Sequence, residues 1–521
     1  MSVWLRSAFI ALVVCSLFAA MPAQAKDHDL VILNGRVMDP ESGLDEVRNV
    51  GITDGKITAV TKKAIKGKES IDASGHVVAP GFIDTHNHNV TSPFGQKLAL
   101  RDGITTPLEL EGGVMPVDEW YAAWEGKSQT NYGATSGMMG ARELVLNPNF
   151  KSVTFGASIA DMEQPKVTHA SMNWSTKVAT DAEIEKILSL MEEGLKQGSL
   201  GIGLTTGYMV DGITQRETFA VQALAGKYGR LTGLHGRFSG QNQGASGMLG
   251  TDEQLGAQAA GGGGLIVQHM TAQCLGLSKY CQEMIDKAYA KGVQVVSEIY
   301  PYTYGATIVG ADYLHPDNYE NNMGHTYSDI VEIATMTPLT KERYEELLKT
   351  APLTSVTFEN VDKEDLVQAL AHPTSLIGSD AFPYSKKSDG SYAGDWDTPY
   401  DSVNGHPRGA GTHALVLQMV REEKLMPLML AISKMTYMPA KFMQDNGIAQ
   451  MAHKGRLQVG ADADITIFDP KTVKQVATPA KGGLPATGIP YVIVNGTIVV
   501  EDSKVLKDVF PGKPIRLPVM H

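Results

Sequence analysis

Past its first 25 residues the chain opens with short apolar runs cut by Asn-Gly and Asp-Gly dipeptides, the pattern of strands joined by tight turns. Leu30–Leu33, Arg36–Met38, Val50–Thr53 and Lys56–Val60 are predicted strands, with Asn34-Gly35 and Asp54-Gly55 at the turns. Gly75–Ala79 adds another that leads into Pro80. The far end repeats the style in Asp464–Phe468, Tyr491–Val494, an Asn495-Gly496 turn and Thr497–Val500. Two β-rich ends around a different middle predict one small β-sandwich domain, formed by residues 26–80 and 451–521 together.

The middle, residues 81–450, alternates apolar strands with amphipathic helices, which predicts an α/β fold of the TIM-like (β/α)8 barrel type. Thr180–Gln197 is a clear helix. Thr180 can cap it, Asp181 and Glu183 fall in its first turn, and Ile184, Ile187, Leu188, Met191 and Leu195 share one face. Strands are predicted at Leu200–Leu204, Leu231–Leu234, Leu265–Val267, Val293–Ile299 and Leu376–Ile377. A polar stretch at about 312–365 reads as an inserted lid or subdomain, and His315, His325 and His372, in or near it, as solvated surface.

Composition narrows the partners. The 521 residues are 43% hydrophobic and 20% charged, enough for a sizeable core. A net charge of −12 and the lack of a basic cluster argue against nucleic acid or an anionic membrane. Residues 1–25 read as a cleaved signal peptide: Arg6, the apolar run Phe9–Ala20, then Ala23-Gln24-Ala25. A periplasmic or secreted protein follows, free of the membrane after cleavage. Cys274 and Cys281 then remain, as a disulfide across a short loop or as two free thiols. Nothing in the sequence speaks to oligomeric state.

The chemistry starts at Val77–Asn89, VVAPGFIDTHNHN. His86 and His88 stand one residue apart at the end of a strand, where side chains i and i+2 point the same way and can reach one metal ion. His235 follows the strand Leu231–Leu234, His269 follows Leu265–Val267, and Asp380 closes LIGSD. Active sites of such barrels gather at the carboxyl ends of the strands. Ligand-type residues at these ends, in barrel order, point to a metal centre.

These motifs carry a resemblance. VAPGFIDTHNH, LHGRF, QHM, EIYPYTYGAT, GSD, HPRGAGTHALVL and the late KMTYMPAKFMQDNGIAQMAHKGRLQVGADADITIFDP resemble the amidohydrolase superfamily, closest to its D-aminoacylase branch of N-acyl-D-amino-acid deacylases. The resemblance covers most of the mature chain. It implies a TIM-like barrel with a discontinuous β-sandwich, one or two divalent ions, usually Zn2+, and hydrolysis of a linear amide. Asp380 matches the family's catalytic aspartate, which takes a proton from water and passes it to the departing amine.

The sequence departs from that pattern twice. Where D-aminoacylases carry a ligand cysteine after an ITT run, this chain reads ITTPLELEGG, with Glu109 and Glu111 on one face of an extended strand. Glu111, nearer the strand end, is the first choice to bridge two cations and Glu109 the second; alternatively one of them orients a histidine or Arg142. Oxygen in place of sulfur keeps zinc first and brings in Mn2+ or Co2+. Thr271 stands where the family tends to carry a lysine, so the substrate pocket is expected to be rebuilt. Arg237, then Arg408 and Tyr302, are the candidates for substrate binding, with His406 and His413 as further pocket residues. The reading is thus a metal-dependent deacylase of N-acyl-D-amino acids, with N-acyl-D-glutamate as one guess. A hydrolase of dipeptides or cyclic amides, and a non-catalytic periplasmic binding protein, are the alternatives.

Overall fold

The computed structural model describes residues 28–90, 92–147, 155–156 and 172–520. The signal-peptide reading of residues 1–25 lies outside them. No helix among the described residues is long and apolar enough to cross a membrane.

Eight parallel strands form the barrel, in the order Phe82–Asp84, Ile104–Met115, Gly133–Gly137, Gly201–Leu204, Leu231–Leu234, Gly264–Val267, Val295–Ile299 and Leu376–Ile377. The last and first are joined just beyond their ends: His88 N–H donates to the Ala381 carbonyl at 3.0 Å, and Ser379 N–H to Asp84 at 2.8 Å. Helices cover the outside. The helix Asp181–Lys196 carries a full capping box between Thr180 and Glu183, and it buries Ile184, Ile187, Met191 and Leu195. Leu188 of the expected face is only half-buried.

The strands of the two ends hydrogen-bond into one nine-stranded sheet. Its centre is the antiparallel pairing of Val77–Pro80 with Ile465–Phe468, so each end supplies what the other lacks. Leu30, Ile32, Val50, Ile465 and Ile493 pack on one of its faces. Gly81 then hands the chain from sheet to barrel. A Cβ there would come within 2.2 Å of the Thr105 hydroxyl, so only glycine lets the first and second barrel strands approach.

One strand differs from its prediction. Leu30–Leu33 and Arg36–Met38 are not two strands about a turn but one strand, His28–Asp39, paired along both halves with Leu44–Thr53. Asn34, at φ 62°, makes a bulge where the register shifts. An Asn-Gly pair satisfies a bulge as readily as a hairpin, because both need a residue at positive φ.

Between the seventh and eighth barrel strands stands a four-stranded antiparallel sheet ordered Tyr304–Ile308, Ser355–Glu359, Ile330–Glu332 and Thr337–Pro338. Its Phe358 and the nearby Tyr313 lean over the barrel mouth. Cys274 and Cys281 are joined as a disulfide. It ties the short helix Met270–Cys274, which begins directly after His269, to the long helix Ser278–Ala290.

Candidate metal centre

Five residues from four strand ends converge at the barrel mouth, all buried: His86, His88, His235, His269 and Asp380. The second strand adds Glu111 between them. Its Oε1 lies 2.9 Å from both His235 Nδ1 and His269 Nε2, and its Oε2 lies 3.5 Å from His86 Nε2 and 3.4 Å from His88 Nε2. One carboxylate thus faces both histidine pairs, as a bridging ligand must. Asp380 Oδ1 completes the first group, 3.3 Å from His86 Nε2 and 3.4 Å from His88 Nε2.

The proton positions decide what this group wants. His88 Nδ1 meets Glu109 at 2.7 Å and His86 Nδ1 meets Glu298 at 3.3 Å, so each Nδ1 carries the hydrogen. Without their second protons, both Nε2 atoms turn lone pairs towards each other across 3.1 Å and towards two carboxylate oxygens. Four electron-rich atoms directed at one point hold either protons or a metal cation. A tetrahedral ion with bonds of about 2.1 Å spaces its donors by about 3.4 Å, which matches the 3.1–3.5 Å found here. The residues therefore fit a divalent ion in this half, and Glu111 Oε1, 2.9 Å from both His235 Nδ1 and His269 Nε2, gathers a second group of donors.

Electrostatics agrees. Burial opposes a charge on His86 and His88, but Asp380, Glu298 and Glu111 around the first and Glu109 and Asp380 around the second outweigh it and raise both pKa values well above the usual. Burial likewise opposes charge on Glu111 and Asp380. The imidazoles beside Glu111, and Arg408 with His86 beside Asp380, nevertheless hold both carboxylates below the ordinary range. Metal-free, the group stores protons that a cation displaces. His235 differs, since burial and neighbouring His269 lower its pKa, leaving it neutral and ready to ligate. His269 and Asp380 sit at φ 34° and 52°, left-handed conformations that a packed surround must maintain and that concentrate at functional sites.

Several sequence assignments need correction. Glu109 is not a ligand: one oxygen holds His88, and the other accepts from the Gly112 and Gly113 amides at 2.8 and 3.3 Å. Arg237 points away from the cavity. Its guanidinium is spent on Glu253 at 3.0 Å, the Ile213 carbonyl at 2.8 Å and the Thr218 hydroxyl at 3.2 Å, because the helix Gly247–Gly261 brings a carboxylate behind the loop. Tyr302 packs on Tyr304 and His406 instead of lining the site. Tyr300, two residues earlier, takes the place at the wall. His406 is used by the Tyr304 carbonyl and the Arg408 amide, and His413 by Asp102. Arg142 is bound to Glu217 and contacts neither glutamate of the second strand.

Arg408 does reach the centre. It lies 2.9 Å from Asp380, stacks on Tyr300 at 5.1 Å, and lines the cavity with Tyr208, Tyr313 and Asn360. Sequence reasoning passed over Glu298, Tyr208, Tyr313 and Asn360. Only Glu298 had a visible signal, as a lone charge in the apolar strand VQVVSEIY.

A parallel barrel with two groups of histidine and carboxylate donors at its mouth, and an acidic residue beside them, defines a metal-dependent hydrolase. The chain belongs to the amidohydrolase family, whose model matches residues 154–500. It is 28% identical over 503 residues to an N-acyl-D-glutamate deacylase from Alcaligenes xylosoxydans xylosoxydans, covering 90% of this chain and 93% of that protein. A D-aminoacylase from the same organism is 25% identical over 92% of this chain and 96% of its own length. Among solved structures, the N-acyl-D-glutamate deacylase of Bordetella bronchiseptica, complexed with zinc and a phosphonate inhibitor, superposes with a TM-score of 0.73. It is 24% identical and covers 94% of this chain and 100% of that one, a likeness of fold.

Proposed function

We propose that this chain hydrolyses the amide bond of an N-acyl-D-amino acid at the centre built around Glu111. The observation that carries the reading is the convergence of Asp380 on both the histidine group and Arg408. A binding protein needs ligands but no proton carrier beside them. When bound, a divalent ion, zinc by this donor set, supplies Lewis acidity and lowers the pKa of water towards about 7. Asp380 accepts the proton of the attacking water and returns it to the amide nitrogen, which leaves only once protonated. Arg408 keeps Asp380 ionised and offers a planar cation to the substrate carboxylate. The names of the full-length relatives support the substrate class.

The test is a panel of N-acetyl D- and L-amino acids, dipeptides and cyclic amides, with N-acetyl-D-glutamate first. Turnover confined to N-acyl-D-amino acids supports the proposal, and turnover of dipeptides or cyclic amides alone replaces it with the second reading, which the Thr271 departure keeps open. Export is also proposed. It is supported by the signal-like residues 1–25 and by a disulfide suited to an oxidising compartment. N-terminal sequencing of exported protein should begin at Lys26.

A further inference from the structure

The cavity above the centre holds polar groups that hydrolysis does not use. Asn360 lines it beside His269, Asp380 and Arg408. The residue is only 7% exposed, and neither atom of its carboxamide makes a hydrogen bond, although the Tyr300 hydroxyl stands close. Buried amides are normally paired, so one left open in a cavity wall calls for a partner from the ligand. Its backbone fixes it there. The Asn360 and Val361 amides both donate to the Thr303 carbonyl, at 3.1 and 2.8 Å, directly after the strand Ser355–Glu359. Gln273, also on the wall, adds a second open group: its Nε2 donates to the Gly247 carbonyl at 3.1 Å, while its Oε1 is buried and unpaired.

The surroundings limit what Asn360 can meet. Tyr313 stacks on His235 at 5.1 Å and packs on Phe358 at 5.7 Å, and its hydroxyl is engaged with that of Tyr208 at 3.5 Å. This side of the cavity therefore offers aromatic surface. Among the described lining residues Arg408 is the only lysine or arginine, and Asp380 neutralises it at 2.9 Å. Arg408 is also the cation offered to the substrate's own α-carboxylate. A second carboxylate here would lose its water and find no cation in return. A carboxamide accepts from the Asn360 NH2 and donates to the Asn360 oxygen, so each amide satisfies the other.

We infer that Asn360 is a specificity-determining residue that reads a second, neutral amide in the substrate. The substrate is then an N-acyl-D-amino acid with a carboxamide side chain, D-glutamine or D-asparagine, in preference to its acidic counterpart. The inference rests on the reading of this chain as an N-acyl-D-amino-acid deacylase.

The test is kcat/KM of full-length, zinc-loaded protein for N-acetyl-D-glutamine, N-acetyl-D-glutamate and N-acetyl-D-methionine, side chains of nearly one length. Glutamine and glutamate share a shape and differ in charge, so the wild-type protein should favour glutamine by about 100-fold or more. Asn360→Leu should lower the glutamine-to-methionine ratio by about 10-fold or more, a shift that general damage to the fold would not produce, because damage lowers both rates together. Glutamate turned over as fast as glutamine by the wild type, or a ratio unchanged in Asn360→Leu, overturns the inference and leaves the deacylase reading standing. No turnover of any of these compounds overturns that reading as well.

Discussion

Removing the Glu111 carboxylate should damage both halves of the centre at once. In Glu111→Ala the first half keeps three donors and the second keeps only two imidazoles, His235 and His269. Merely losing an orienting partner costs 10–100-fold in affinity, about 1.4–2.7 kcal/mol. Losing a direct ligand costs at least that in each half. The second half, left without anionic charge, should fall below retention on dialysis, so elemental analysis of dialysed protein should drop from two ions to one or fewer. Glu111→Gln is the sharper probe, since it keeps the shape but turns an amide NH2 towards one histidine pair. Glu111→Cys restores the thiolate that the family resemblance places here and should recover ions that the alanine variant loses. Dialysed Glu111→Ala protein that keeps two ions at wild-type affinity would refute the bridging role.

Three further outcomes follow from the structure away from that carboxylate. Arg237→Ala should lower stability by about 1–3 kcal/mol in denaturant titration, because it strands half-buried Glu253; a rise in KM with unchanged stability would return Arg237 to the substrate pocket. Replacing both Cys274 and Cys281 by serine opens a loop of sequence separation 7, worth roughly 2 kcal/mol of unfolded-state entropy, and should lower the melting temperature without changing the protein's mass in the absence of reductant beyond the substitutions themselves. Lys434 is buried with no carboxylate partner among the described residues, its Nζ on the Leu370 and His372 carbonyls and the Ser375 hydroxyl, and burial pushes its pKa down to about 7. The unfolded chain then holds the extra proton between pH 7 and about 10.4, so this lysine makes stability rise with pH across that window. Urea titrations of wild type and Lys434→Met from pH 6 to about 10 should differ in that slope, and equal slopes would contradict it.

The centre was legible where the chemistry follows local spacing. His86 and His88 share a strand, and His235, His269 and Asp380 each close an apolar run, so alternation and strand ends suffice to find them. Choosing between Glu109 and Glu111 needed the third dimension, because both lie on one face of the strand and only the fold shows which reaches the second histidine pair. Arg237 misled for the converse reason: nearness to His235 in sequence says nothing about Glu253, which arrives from a helix 16 residues on. Tyr208, Tyr313 and Asn360 were invisible because they come from loops and from the sheet inserted between the last two barrel strands, where no periodicity marks the inward side. That strands of both ends belong together was readable from their short apolar runs and Asn-Gly and Asp-Gly turns, while the Asn34 bulge was not, since a dipeptide records only the need for positive φ.

The most direct test of the account is the rate of amine release from the preferred N-acyl-D-amino acid by zinc-loaded protein, by chelated protein, and by zinc-loaded Asp380→Asn. The account predicts loss of turnover on chelation, recovery on adding zinc back, and a fall of about 10²–10⁴-fold in kcat for the asparagine variant. Full activity in the chelated protein, or in Asp380→Asn, would contradict it.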